Sequence, residues 1–227
     1  SEVLSADISG KYKLTEVGTA IQDLINRYFS MEPGSTPAKY SPQRLTFTAH
    51  VVNAPILQQF APSLKEMANV NFAGNFDSEA GQLLVKASAP RILYGTNNLN
   101  NLQLNINTAN EALNYSLTLD QISSTQFEIV NTSIRGNAQN NVLNTDIQIR
   151  DREDKQHYRI AGSLRSLPSA FEFSLRPDGL ILNYEPWTVS TDNAIRFGKA
   201  GLDANNFVLT HQNQSLSVVT TPPGGNN

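Results

Sequence analysis

The sequence predicts a mainly β protein whose strands form one largely antiparallel sheet. Three observations carry this. Apolar residues alternate with polar ones at period two along most of the chain, which buries one face of each strand and leaves the other in water. Helical periodicity is confined to the first 70 residues. The segments between strands are too short for parallel crossovers, which need a dozen residues or more.

In chain order, Leu4, Ala6, Ile8, Gly10, Tyr12 and Leu14 share a face, with Ser5, Asp7, Ser9, Lys11 and Lys13 opposite. Next comes an amphipathic helix over 15–30, with Thr15 as its cap. Val17, Ala20, Ile21, Leu24, Ile25, Tyr28 and Phe29 form its apolar stripe. The Pro/Gly/Ser-rich stretch 32–42 is a loop. Leu45, Phe47, Ala49 and Val51 restore alternation. A shorter helix is expected over 55–67, carrying Ile56, Leu57, Phe60, Leu64 and Met67, with Pro62 kinking or splitting it.

Beyond residue 68 the chain reads as a meander of about ten strands. Alternation recurs at 70–76, 83–87, 102–106, 113–119, 143–149, 158–164, 171–175 and 216–218. Turns are expected at Asn97-Asn98, Asn140-Asn141 and Pro177-Asp178-Gly179. Phe127 and Ile129 fall on one parity and Val130 and Ile134 on the other, which predicts a β-bulge or twist between them. Residues 1–221 form a single elongated domain, and the Pro/Gly/Asn-rich 222–227 is a linker or tail. Periodicity leaves a sandwich, a barrel and a sheet folded lengthwise all open.

Composition excludes several function classes. Seventeen basic against 20 acidic residues give net −3, so no basic field exists for nucleic acid. Cysteine is absent, which removes disulfides, thiolate metal sites and cysteine nucleophiles. No apolar stretch approaches the roughly 18 residues that span a membrane as a helix.

Nothing in the sequence assembles catalytic chemistry. His50, His157 and His211 are far apart, and none has a metal-ligand partner at i+2 or i+4. Phosphate-loop, nucleophile-elbow and zincin motifs are missing. The expectation is therefore a non-enzyme without cofactor or metal. The mixed-charge run 150–155 reads as a solvated hairpin tip. Three sequons begin at Asn114, Asn131 and Asn213. Trp187 reads as an edge aromatic plugging a core. The helix at 15–30, with Arg27 its only basic residue, reads as a cover for the open end of the sheet rather than a membrane-surface helix.

Several stretches carry a family resemblance. One is the helix ending Asp23-Leu24-Ile25-Asn26-Arg27-Tyr28-Phe29. Others are Ala54-Pro55-Ile56-Leu57-Gln58-Gln59-Phe60-Ala61-Pro62 and Val70-Asn71-Phe72-Ala73-Gly74-Asn75-Phe76, followed by the Asn-rich meander. Near the C-terminal end come Trp187, Asn193-Ala194-Ile195-Arg196-Phe197-Gly198 and Asn205-Asn206-Phe207-Val208-Leu209-Thr210-His211. Together these resemble the TamB-like translocation and assembly proteins of the Bacteroidetes, in the AsmA-like superfamily.

The resemblance implies a long antiparallel sheet folded lengthwise into a half-pipe (a β-taco) with an apolar inside; a β-sandwich is the alternative. It implies an interior or C-terminal segment of a periplasmic protein anchored in the inner membrane, serving phospholipid transport or outer-membrane protein assembly. The implied partners are phospholipid acyl chains, neighbouring segments of the same chain and an Omp85-class outer-membrane protein reached through other parts.

In such a sheet Leu104, Ile106, Tyr115, Leu117, Phe127, Ile147, Ile149, Tyr158 and Ile160 would line a continuous hydrophobic trough. A surface adhesin or carbohydrate-binding sandwich is the competing function, served by the Asn/Gln-rich strand faces and Trp187. A structural spacer is the third.

Overall fold

The computed structural model describes residues 4–52, 61–67, 69–199 and 201–220. Among them are one helix and sixteen strands. The chain runs β1 (Leu4–Lys11), α1 (Leu14–Tyr28), β2 (Arg44–Val51), β3 (Leu64–Met67), β4 (Val70–Asp77), β5 (Gln82–Tyr94) and β6 (Asn97–Ala109). It continues through β7 (Ala112–Ser123), β8 (Glu128–Gln139), β9 (Val142–Arg150), β10 (Gln156–Leu167), β11 (Ala170–Leu182) and β12 (Glu185–Val189). The last four strands are β13 (Ala194–Gly198), β14 (Gly201–Asn205), β15 (Phe207–His211) and β16 (Gln214–Val218).

They form one long open antiparallel sheet in the order β1-β2-β4-β5-β6-β7-β8-β9-β10-β11-β12-β15-β16, with β3 paired to β5 and the β13–β14 hairpin to β11. This is the lengthwise-folded half-pipe class; among the described residues the two face-to-face sheets of a sandwich are not formed.

Short turns make the meander. Asn110-Glu111, Asn140-Asn141 and Asn183-Tyr184 all have positive φ at both residues, the two-residue geometry whose twist matches antiparallel strands. The Asn140-Asn141 turn is thus where the sequence places it. Asn97-Asn98 instead open β6, and the turn lies at Gly95-Thr96, where Gly95 takes φ 62°. Pro177-Asp178-Gly179 is no turn between strands but part of a bulge inside β11. Pro177 has no N–H for a ladder, and a Cβ on Gly179 would lie 2.5 Å from the Ala161 carbonyl oxygen.

The helix differs from expectation in its cap and its position. Lys13, not Thr15, is the N-cap residue; its N–H donates to Gln43 Oε1 at 2.7 Å, so a side chain from the segment before β2 does the capping. Ala20 and Leu24 pack on Leu45, Phe76 and Leu83. The helix therefore lies on the apolar face, from β2, β4 and β5 on to β7 and β8, rather than over the end of the sheet. Its far end is tied to the β8–β9 turn: Ser30 N–H donates to Asn141 Oδ1 at 3.0 Å and Asn141 N–H to Tyr28 O at 2.9 Å.

Of the second expected helix, 53–60 lie outside the described residues. Leu64–Met67 are a strand, with Leu64 opposite Tyr94 and Met67 opposite Ile92. Four residues beyond Pro62 gain more backbone hydrogen bonding from an existing edge than from a single helical turn.

A crease runs along the sheet. Asn101 and Asn131 sit mid-strand in β6 and β8 with φ 54° and 49°. By the flanking registers they share a row with Pro90 of β5 and Asp120 of β7, and Asn101 Nδ2 donates to Asp120 Oδ2 at 2.8 Å. The apolar parity switches at this row in every strand that crosses it. Ala87 and Ala89 give way to Ile92, Leu104 and Leu102 to Leu99, Leu117 and Leu119 to Ile122, and Ile134 to Ile129. The phase slip expected near 127–134 is one member of this row. Left-handed residues bend the strands there, along the line about which a sheet folds lengthwise.

Little of the apolar face is closed off. The accessible surface is 14,273 Å², against about 10,000 Å² for a compact monomer of this mass. Beyond the patch under α1, a second small core joins Leu175, Leu180, Val189, Phe207 and Leu209. Trp187 packs against it, and its ring stacks on His211 at 5.5 Å.

Candidate functional site

Cross-strand partners share a face, so the ladder registers assemble the inner surface residue by residue. One row runs Ala6, Ala49, Phe72, Ala87, Leu104, Leu117, Ile134, Ile147, Ile160, Leu180, Trp187, each residue directly opposite the next. It crosses eleven strands and contains no polar residue. At about 4.8 Å per strand it is roughly 48 Å long. The row alongside it runs Ile8, Phe47, Gly74, Val85, Ile106, Tyr115, Gly136, Thr145, Gly162, Leu175.

On the opposite face the matching row is Ser5, His50, Asn71, Ser88, Gln103, Thr118, Ser133, Gln148, Arg159. The sheet thus has one aliphatic and one hydrophilic side over almost its whole length.

Leu104, Leu117, Ile147 and Ile160 of the sequence-derived set stand in the first row. Ile106 and Tyr115 stand in the second. Ile149 and Tyr158 face each other on the far side of the first. Phe127 is not among them: it lies in the β7–β8 turn, where its carbonyl accepts from Ser124 N–H. Sequence reasoning missed Ile134 and Leu180, which complete the row between β7 and β12. Ile134 is obscured by the parity switch, and Leu180 by the bulge that offsets it from Leu175.

Apart from Ile106, which packs against the core under α1, these side chains are half-buried rather than packed in a core. Leu104, Leu117 and Ile147 are partly covered, and Ile160 is 41% and Tyr158 37% exposed. A close-packed interior leaves such residues almost no surface.

Two glycines shape the floor. Tyr115 lies over Gly136 of the neighbouring strand, and its hydroxyl donates to Asn144 O at 2.9 Å, next to Thr145 Oγ1 at 2.5 Å. Phe47 lies over Gly74 in the same manner. An aromatic ring laid over a glycine covers backbone that would otherwise be bare. Burial raises the Tyr115 phenol above its ordinary pKa, which keeps the floor neutral.

The three histidines do not come together. His50 Nδ1 contacts Asn71 Oδ1 at 2.8 Å, His157 Nε2 contacts Asn183 Oδ1 at 3.0 Å, and His211 Nδ1 contacts the Pro186 carbonyl at 2.9 Å. Each ring is occupied by a local partner on a different part of the sheet. Among the described residues no three His, Asp or Glu side chains gather as metal ligands, and no helix is long and apolar enough to cross a membrane. No protein-family model matches the chain, and no curated protein or solved structure is significantly similar to it.

Proposed function

We propose that this chain is a non-enzymatic segment of a TamB-like envelope-biogenesis protein of the periplasm, and that its apolar face guides phospholipid acyl chains. The observation that carries the reading is the unbroken row from Ala6 to Trp187. An acyl chain has no hydrogen-bonding demand along its length, so a lane without polar groups suits it, and any polar group there would be desolvated at a cost. The stretch of the row from Leu104 to Ile160 is left half-open by α1, which packs to one side of it on Leu45, Phe76 and Leu83, with Ile106 and Leu113 against that cluster. In the same reading, like segments of the parent protein extend the lane at either end, and an Omp85-class partner is engaged through other parts of that protein.

The test is photo-crosslinking in cells, with a photoreactive residue placed at Leu117, Ile147 or Ile160. Lipid adducts are expected at these three and not at Thr118 or Gln148, which point to the hydrophilic side. A folded protein that captures lipid at none of the three overturns the proposal.

A further inference from the structure

Four charged residues from neighbouring strands converge on the hydrophilic side, away from the apolar row. Asp146 of β9 lies directly opposite Arg135 of β8, yet the two form no ion pair. The reason is that the Asp146 carboxylate is already saturated. Arg159 Nη2 donates to Oδ2 at 2.7 Å and its Nε approaches both oxygens at 3.2 Å. Arg176 Nη2 adds a bond to Oδ2 at 3.3 Å, and Gln148 Nε2 one to Oδ1 at 3.1 Å. Arg135 is left exposed, without an ion-pair partner among the described residues.

Arg176 reaches this place because of the β11 bulge. Ile160 pairs with Leu180 and Gly162 with Leu175, so four residues, Arg176-Pro177-Asp178-Gly179, stand against Ala161 alone. Bulges of this kind re-aim side chains. The Arg159 Nη1 bond to the Asp178 carbonyl at 3.4 Å fastens the loop. Arg135, Asn137, Asn144, Asp146 and Arg176 then line one concavity of about 360 Å³. Three guanidinium groups gather around one carboxylate, and only two of them, those of Arg159 and Arg176, bond to it. The other carboxylate nearby, Asp178, is 81% exposed and 3.9 Å from Arg176.

We propose that this concavity is a phosphate-binding site, with Arg135 and Arg176 as the contacting residues and Asp146 and Arg159 as the frame that positions Arg176. Planar guanidinium forks suit the oxygens of a phosphate, and charge-assisted bonds of this type are the stronger class. The Asn137 and Asn144 amides, joined Asn144 Nδ2 to Asn137 Oδ1 at 3.2 Å, supply further donors at the rim.

The experiment titrates inorganic phosphate against chloride at constant ionic strength, following the arginine Nε–H signals of ¹⁵N-labelled protein by NMR. Saturable shifts are expected at Arg135 and Arg176 with phosphate alone, and none at Arg165, which lies beside Glu172. Arg135→Gln leaves the Asp146 bonds intact, so it tests the site without disturbing the frame. It should weaken binding about tenfold, the loss of one charged hydrogen-bonding partner. Affinity for inorganic phosphate should rise with pH as the ligand takes its second charge, because a dianion bonds more strongly to the two guanidinium groups.

Co-sedimentation with phosphatidylcholine vesicles, with and without phosphatidic acid, distinguishes the source. Acid-dependent binding that needs Arg135 assigns a lipid headgroup, and phosphate shifts without vesicle binding assign a soluble phosphate. Absence of a saturable phosphate shift, an equal response to chloride, or an Arg135→Gln protein that binds as well as the parent each overturns the proposal.

Discussion

Tyr115 and Gly136 are fitted to each other across β7 and β8: a Cβ on Gly136 would lie 2.4 Å from the Tyr115 hydroxyl oxygen and 1.9 Å from the Asn144 carbonyl oxygen. The ring needs the bare backbone beneath it to reach Asn144 and Thr145 on β9. Gly136→Ala is therefore expected to destabilise the protein by about 1–3 kcal/mol, the usual range for forced overpacking. Gly18, exposed on α1 with nothing within 4 Å of a built Cβ, is the contrast. Gly18→Ala should stabilise by about 0.5–1 kcal/mol through helix propensity. Urea denaturation midpoints of the two variants, moving in opposite directions, check both statements.

Glu16 predicts a pH dependence. Its carboxylate accepts from Ser41 Oγ at 2.6 Å and Ser41 N–H at 2.7 Å, with Lys13 Nζ at 3.0 Å. These bonds, the Ser41 side chain's first, lower its pKa from 4.5 to about 2. A depressed folded-state pKa means that stability is fully present above pH 4.5 and is lost as pH falls through about 2. Glu16→Gln should flatten that part of the melting-temperature profile between pH 5 and pH 2. A profile with unchanged slope would show that the Ser41 contacts do not couple to folding.

The crease predicts a backbone-specific effect. Asn131 holds φ 49° in the middle of β8, a region that asparagine and glycine tolerate and β-branched residues do not. Asn131→Val should cost about 1–3 kcal/mol, while Asn131→Gly should cost much less. The same ranking by denaturant unfolding is expected at Asn101. Equal losses for Val and Gly would mean that the side-chain bond from Asn131 Nδ2 to Asp151 O at 2.8 Å, rather than the backbone, holds the bend.

How far the sequence discloses this molecule follows from what each signal depends on. Alternation such as Leu113, Tyr115, Leu117, Leu119 is a local consequence of strand geometry, so strand content and face assignment were legible. The crease was legible only at Ile129 and Ile134, because a parity switch in one strand looks like a bulge. Its meaning appears when Pro90, Asn101 and Asp120 are seen in the same row, and a row is a property of register. Register also decides that Leu180 rather than Leu182 continues the lane, and the four-residue bulge that decides it resembles a turn in sequence. Helix α1 was legible from its apolar stripe, whereas its seat on Leu45, Phe76 and Leu83 depends on contacts 20 to 60 residues away. At 64–67 the apolar spacing of Leu64 and Met67 fits either element, and pairing with β5 settles it as a strand.

An open lane and an ordinary core respond differently to an introduced charge. Leu117 is flanked by Leu104 and Ile134 in its row and is only half-buried. In a close-packed interior, Leu117→Asp would place an unpaired carboxylate among apolar atoms and unfold the chain. On a half-open face the carboxylate keeps water on one side, so the variant should retain its β-type circular dichroism and a cooperative melt. What it should lose is acyl-chain contact, because a lipid tail crossing residue 117 would have to strip that water at a cost of several kcal/mol. Ile147→Asp, two strands further along the same row, should behave alike, and Thr118→Asp on the hydrophilic side should do neither. Lipid crosslinking at position 160 in each background is the measurement. It should fall sharply for the two row variants and stay unchanged for Thr118→Asp. Unfolding of Leu117→Asp would instead show the row to be closed core, and undiminished crosslinking in a folded Leu117→Asp protein would show that lipid does not travel along it.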